Sequence, residues 1–119
     1  AHAQCRHRNE TRMTEIIEEL YKIILSRRND DPDKSYVAKL FKKGTKKMAQ
    51  KVGEEGVEVA IAGVSEKKKA LIEESTDLIF HLLVLMADRG VDPSDIEKEI
   101  RLRMGTSGLV EKKVRNKKL

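Results

Sequence analysis

From Thr14 to Arg28 the apolar residues Ile16, Ile17, Leu20, Tyr21, Ile24 and Leu25 return at three- and four-residue intervals, the period of an amphipathic helix. Glu15, Glu18 and Glu19 suit the positive end of its dipole. The run RRNDDPDKS breaks the pattern because Asn, Asp and Pro favour turns, and a short helix carrying Tyr36, Val37, Leu40 and Phe41 follows as far as Gly44. Thr45 is placed to N-cap a long third helix reaching about Val64, and Ser65 to cap a fourth that runs to about Arg89 and stops at Gly90. DPSD, Asp92 to Asp95, offers a capping Asp, a Pro at the first helical position and an acid three residues after the cap; it starts a fifth helix ending at Met104 or Gly105. Strand-type alternation is hard to find, so the pattern predicts an all-α bundle of four to five helices.

The fourth helix changes character midway. LIFHLLVLM, Leu78 to Met86, is apolar on every face except at His81, and a helix apolar all round must be surrounded. A chain of 119 residues has few helices to surround it with, which points to a homodimer whose subunits share a bundle. The run is also about half the ~20 residues that span a bilayer, so no membrane segment is expected. Aromatics are 3% and charged residues 38%, a balance favouring helices over sandwiches.

A net charge of +5 raises the question of nucleic acid, and the position of the charge answers it. Three arginines against Glu10 give residues 1–12 a charge of +2, five Lys and Arg against Glu111 give residues 111–119 a charge of +4, and residues 13–110 carry −1. The body is nearly neutral and has no interleaved aromatics, which weakens a nucleic-acid-binding helical module as the rival reading. The chain is thus divided into a leader over residues 1–12, disordered or an appended remnant, a helical domain over 13–110 and a basic, solvated tail over 111–119. Cys5 is the single cysteine, which permits no internal disulfide and suits a reducing cytoplasm.

KVGEEGVEVAIAG, Lys51 to Gly63, crowds like charges where a helix is about to enter a core. Glu55 and Glu58 are three residues apart, as are Glu74 and Asp77, so on a helix each pair is separated by roughly 60° and shares a face. The point midway between the two pairs is residue 66, inside SEKKK, where a turn is expected; an antiparallel hairpin folded there sets the two acidic patches level. Bare, such a cluster repels itself. A hard divalent cation such as Mg²⁺, which takes oxygen ligands and couples carboxylates to phosphates, relieves it. Lys47 and Lys51 lie on about the same face as Glu55, within reach of phosphate oxygens. Solvated helix faces are the plainer account of such spacing, and Glu54, roughly 100° from Glu55, and Glu73 are assigned to the surface. His81 is read as a hydrogen-bonded core histidine in preference to a support for Asp77. Close helix packing is the expected reason for Gly53, Gly56 and Gly63.

KMAQKVGEEGVEVAIAG, then EESTDLIFHLLVLMADRGV, then RMGTSGLVEKKVR, with SYVAKLFKKGTKK upstream, resemble in order the blocks of the phosphoribosyl-ATP pyrophosphohydrolases of histidine biosynthesis. The likeness covers about Glu15 to Arg115. The paired acidic motif is shared with the wider MazG-like all-α nucleoside triphosphate pyrophosphohydrolases, including house-cleaning enzymes, whereas KVGEE, FHLLVLM and GTSGLVEK discriminate. The resemblance implies an all-α homodimer that hydrolyses phosphoribosyl-ATP to phosphoribosyl-AMP and pyrophosphate with Mg²⁺, with Glu55, Glu58, Glu74 and Asp77 as metal-binding and catalytic carboxylates. It also implies substrate contact by GTSG, with Ser107, beside Arg101 and Arg103, where backbone N–H groups and cations suit phosphates. Gly56 stands where the family usually has alanine, a small-for-small change.

Overall fold

A computed structural model describes the backbone of residues 2–105 and the side chains of residues 12–105. Five helices follow one another: α1 (His2–Arg27), α2 (Tyr36–Lys43), α3 (Thr45–Val64), α4 (Lys68–Arg89) and α5 (Pro93–Met104). Among the described residues there is no strand. The all-α expectation holds.

Helix boundaries follow local chemistry, with three departures from expectation. α1 starts at His2, well before Thr14. Residues 2–12 contain neither Gly nor Pro, and a helix nucleated on the apolar Ile17–Leu25 stretch propagates through such residues at little cost. Thr45 does not cap α3; Gly44 does, without a side-chain bond, at φ 95°. Gly44 also ends α2, its N–H bonding the Leu40 carbonyl, and a one-residue junction with positive φ calls for glycine. Thr45 is thereby drawn into the helix, and its hydroxyl donates to Asp88 Oδ2 at 2.6 Å, tying α3 to α4. Ser65 ends α3 rather than starting α4: its N–H bonds Ile61 O, its hydroxyl donates to Ala62 O, and Lys67 takes the N-cap position of α4.

The signals at Asp92 and Gly90 are used as read, and a further cap falls at Ser35. Ser35 caps α2, its side chain accepting from Ala38 N at 3.2 Å. Asp92 and Asp95 form a reciprocal capping box behind Pro93. Gly90 takes the left-handed conformation after α4, which lets Val91 N bond the Met86 carbonyl at 2.9 Å.

α3 and α4 form an antiparallel hairpin, the most extensive packing in the chain, turned at residues 65–67 with Glu66 at φ 65°. One end of the hairpin is anchored. Tyr21 and Ile24 of α1, Val37 and Leu40 of α2 and Met48 near the start of α3 close around Leu83, Val84, Met86 and Ala87 in the second half of α4. Tyr21 adds a directional bond, its hydroxyl donating to Val91 O at 2.7 Å across the α4–α5 junction. Among the described residues the opposite end is not covered: Val57, Ile61 and Val64 of α3 and Leu71 and Ile72 of α4 are exposed. Nor is the apolar girdle of α4 complete, since Leu82 remains 42% exposed on an open apolar cavity of about 450 Å³ between α1, α4 and α5.

A Cβ added at Gly53, Gly56 or Gly63 meets nothing within 4 Å, so no contact among the described residues of this chain requires glycine there.

Two substitutions test the anchor. Ile24 is fully buried, and Ile24→Ala is expected to cost about 2–5 kcal/mol in denaturant unfolding. Tyr21→Phe leaves the Val91 carbonyl without its partner and is expected to cost about 1–3 kcal/mol.

Candidate metal centre and active site

α3 and α4 approach closely enough that Glu55 and Glu58 on one helix and Glu74 on the other share a centre: one carboxylate oxygen from each lies within 4.8 Å of the others. Glu55 is 7% exposed, Glu74 is half-buried and Glu58 faces solvent. Glu55 Oε2 and Glu74 Oε2 are both buried, and neither finds a hydrogen-bond partner. Unpaired buried carboxylate oxygens are costly in a folded protein.

The electrostatics carry the same strain. Glu55 is pushed above the usual glutamate range first by burial and then by Glu58 beside it. Glu74 is pushed up first by the adjoining Glu58 carboxyl, then by burial, with Asp77 and Glu55 adding to it. Glu58 is the common cause. A divalent cation among the three fits this donor set, since it supplies the positive charge and the missing partner together.

The remaining predicted residues are placed as follows. Asp77 lies outside the three-oxygen group, exposed, one helical turn beyond Glu74 and near enough to act on it. Lys51 Nζ sits 3.8 Å from Glu55 Oε1 and 3.6 Å from Glu54 Oε2. Lys47 is half-buried on the same helix, one turn earlier. Arg101 and Arg103 pair along α5 with Glu97 at 3.2 Å and Glu99 at 3.3 Å; α5 leans on α1, and Arg101 borders the apolar cavity rather than the carboxylates. Ser107 lies outside the described residues. Glu54 and Glu73 are surface groups, Glu54 accepting from Gln50 Nε2 at 2.7 Å and Glu73 pairing with Lys69 at 3.9 Å.

His81 is 6% exposed and satisfied at both nitrogens. Nδ1 lies 2.8 Å from the Asp77 carbonyl, which can only accept, so Nδ1 carries the proton; in the neutral ring Nε2 then accepts from the Tyr36 hydroxyl at 3.0 Å. Tyr36 is the residue that sequence reasoning passed over. It reads as one more apolar position of α2, yet Ser35 at the N-cap sets it at the first helical position, at the edge of the face formed by Val37, Leu40 and Phe41.

A model of the phosphoribosyl-ATP pyrophosphohydrolase family matches residues 17–104, the span holding all of these carboxylates. The chain belongs to that family. Among similar proteins, the phosphoribosyl-ATP pyrophosphatase of Paramagnetospirillum magneticum is 55% identical over 105 residues, covering 88% of this chain and 96% of that one. The enzymes of the same name from Azospirillum brasilense and Geobacter sulfurreducens are 47% and 45% identical, covering 84% and 86% of this chain and 90% and 94% of theirs. For a phosphoribosyl-ATP pyrophosphohydrolase, an acidic centre flanked by a lysine is an apt constellation, because a triphosphate has to be met by positive charge. Among the described residues, no helix is long and apolar enough to cross a membrane.

The upward shifts at Glu55 and Glu74 fix a sign. The folded chain holds more protons than the unfolded one just above the ordinary glutamate range, so this contribution to stability is present at low pH and is lost as pH rises through the raised values. Glu58→Gln removes the shared cause. In chelator at neutral pH the variant is expected to melt about 2–4 °C above the parent, with the gap closing as pH falls. A divalent cation held by the three carboxylates would narrow or reverse that gap, since the parent offers it one ligand more. A variant melting below the parent in chelator at neutral pH would contradict the repulsion.

Proposed function

We propose that this chain hydrolyses phosphoribosyl-ATP to phosphoribosyl-AMP and pyrophosphate, the second step of histidine biosynthesis, with Mg²⁺ at the acidic centre. The observation that carries the reading is the convergence of Glu55, Glu58 and Glu74 with two buried oxygens unpartnered, in a chain of this family. These three carboxylates would hold the ion. When bound, it offsets the charge of the triphosphate and stabilises the departing pyrophosphate.

The chain's own groups do the rest. Lys51, already tethered to Glu54 and Glu55, turns its ammonium toward incoming phosphate oxygens, with Lys47 one turn behind. Asp77 is the carboxylate left outside the three-oxygen group and open to solvent, and it takes the proton of the attacking water as general base. The water oxygen bonds the α-phosphorus, the bond from that phosphorus to the bridging oxygen breaks, and pyrophosphate leaves with its electron pair. Arg101, Arg103 and Ser107 meet the phosphates of a substrate bound across two subunits.

The active form in this reading is a homodimer. Gly53, Gly56, Val57, Ala60, Ile61 and Val64 recur at helical spacing along α3, and its exposed members have no cover among the described residues. Small residues among exposed aliphatic ones let another helix come close, and a second copy of the hairpin supplies it. A reducing cytoplasm suits a chain with one cysteine and a nucleotide substrate.

Purified protein with Mg²⁺ is expected to release pyrophosphate from phosphoribosyl-ATP in preference to ATP, dCTP and dUTP. Glu58→Gln and Glu74→Gln are expected to lower kcat by about 10²–10³-fold or more with helical circular dichroism intact. Asp77→Asn should lose kcat while keeping the Mg²⁺-induced rise in melting temperature. Full turnover in all three variants would remove these residues from the mechanism; preference for dCTP or dUTP would favour a house-cleaning enzyme.

Ile61→Glu places a charge in the apolar seam and is expected to convert a dimer to a monomer in sedimentation, with turnover lost. An unchanged sedimentation coefficient would place the interface elsewhere.

A further inference from the structure

The chain has four aromatic side chains, and three serve its interior: Tyr21 is buried, and Phe41 and Phe80 are half-buried against the core. Tyr36 does not. It is 50% exposed, yet it is held from several sides. Its hydroxyl donates to His81 Nε2 at 3.0 Å, its ring stacks on Phe80 with centroids 6.0 Å apart and planes 24° from parallel, and it meets the edge of His81 at 5.8 Å. Fixing an aromatic ring costs side-chain entropy, and a ring that merely fills space would be covered.

Its position relates it to the acidic centre. His81, which anchors the hydroxyl, is itself bonded to the backbone of Asp77. The exposed ring is therefore one side chain, His81, removed from the α4 turn that carries Asp77. A rigid ring with open surface beside a polyphosphate site has the properties of a stacking platform, since every nucleobase has a π-face.

We propose that Tyr36 is the base platform of the site, the adenine of the nucleotide lying on its exposed ring while the phosphates reach Lys51 and the acidic centre. Phe80 backs the ring and His81 fixes its tilt, so these two act as positioning residues. The inference rests on the functional reading above and adds to it the element that recognises the purine.

Three variants test it. Tyr36→Leu keeps an apolar side chain without the ring and is expected to raise KM for phosphoribosyl-ATP on the order of tenfold or more, with the smaller part of the loss in kcat. Tyr36→Phe keeps the ring and is expected to bring KM back to within about threefold of the parent. The chain has no tryptophan, so Tyr36→Trp introduces a single indole emitter at the platform. With Mg²⁺ present, its emission is expected to be quenched by α,β-methylene-ATP and left unchanged by tripolyphosphate, which carries the charge without the base. Equal responses to the two ligands, or none to either, would overturn the proposal. So would Leu and Phe variants that lower kcat alike at unchanged KM, the mark of a ring that only holds α2 to α4. Failure of the parent to turn over phosphoribosyl-ATP counts against the functional reading alone, because the fluorescence arm needs no turnover.

Discussion

Repulsion among carboxylates is the constraint to which the rest of this molecule answers. Glu55, Glu58 and Glu74 are brought within 4.8 Å of one another from two helices, with two oxygens taken out of water and given nothing to bond. Left to itself a hairpin would splay to relieve such a contact. It stays closed because the Thr45–Asp88 bond and the cluster around Met48, Leu83 and Val84 clamp its far end. Stability made at one end thus maintains an unfavourable arrangement at the other, and the unfavourable arrangement is what favours a cation.

That division of labour explains the shape of the core. The buried cluster gathers at the second half of α4, where α1 and α2 wrap the hairpin, and α5 hangs from the Gly90 cap with Tyr21 pinning the junction. The first half of α4 and the second half of α3 carry aliphatic residues that the described part of the chain leaves exposed. Burying them in a partner would stiffen the hairpin next to the carboxylates, so association and site geometry are the same problem seen from two sides.

Much of this was legible in the order of residues, and the limits are physical. The hairpin could be located because two acid pairs at equal distance from a turn-forming segment have one simple way to meet, and the turn does fall at residues 65–67. A cap was legible where the capping side chain has no competing use, as at Asp92, and misassigned where it does: Thr45 and Ser65 spend their hydroxyls on Asp88 and Ala62. The uneven exposure of the carboxylates depends on how α1 and α2 lean on the hairpin, which no local pattern encodes. Tyr36 was missed for a related reason, since an aromatic in an amphipathic run reads as core unless its angular position is tracked from the cap.

The three-residue turn between α3 and α4 has a consequence for how such a chain can change over time. A residue added or deleted there and made up within α4 would roll that helix by roughly 100° and slide it about 1.5 Å against α3, carrying Glu74 away from Glu55. Side chains at Glu66 and Lys67 are exposed and free to vary in kind, short of proline and β-branched residues at position 66, whose φ of 65° excludes the first and disfavours the second. The number of residues is not, so drift through this segment should proceed by replacement and not by insertion or loss.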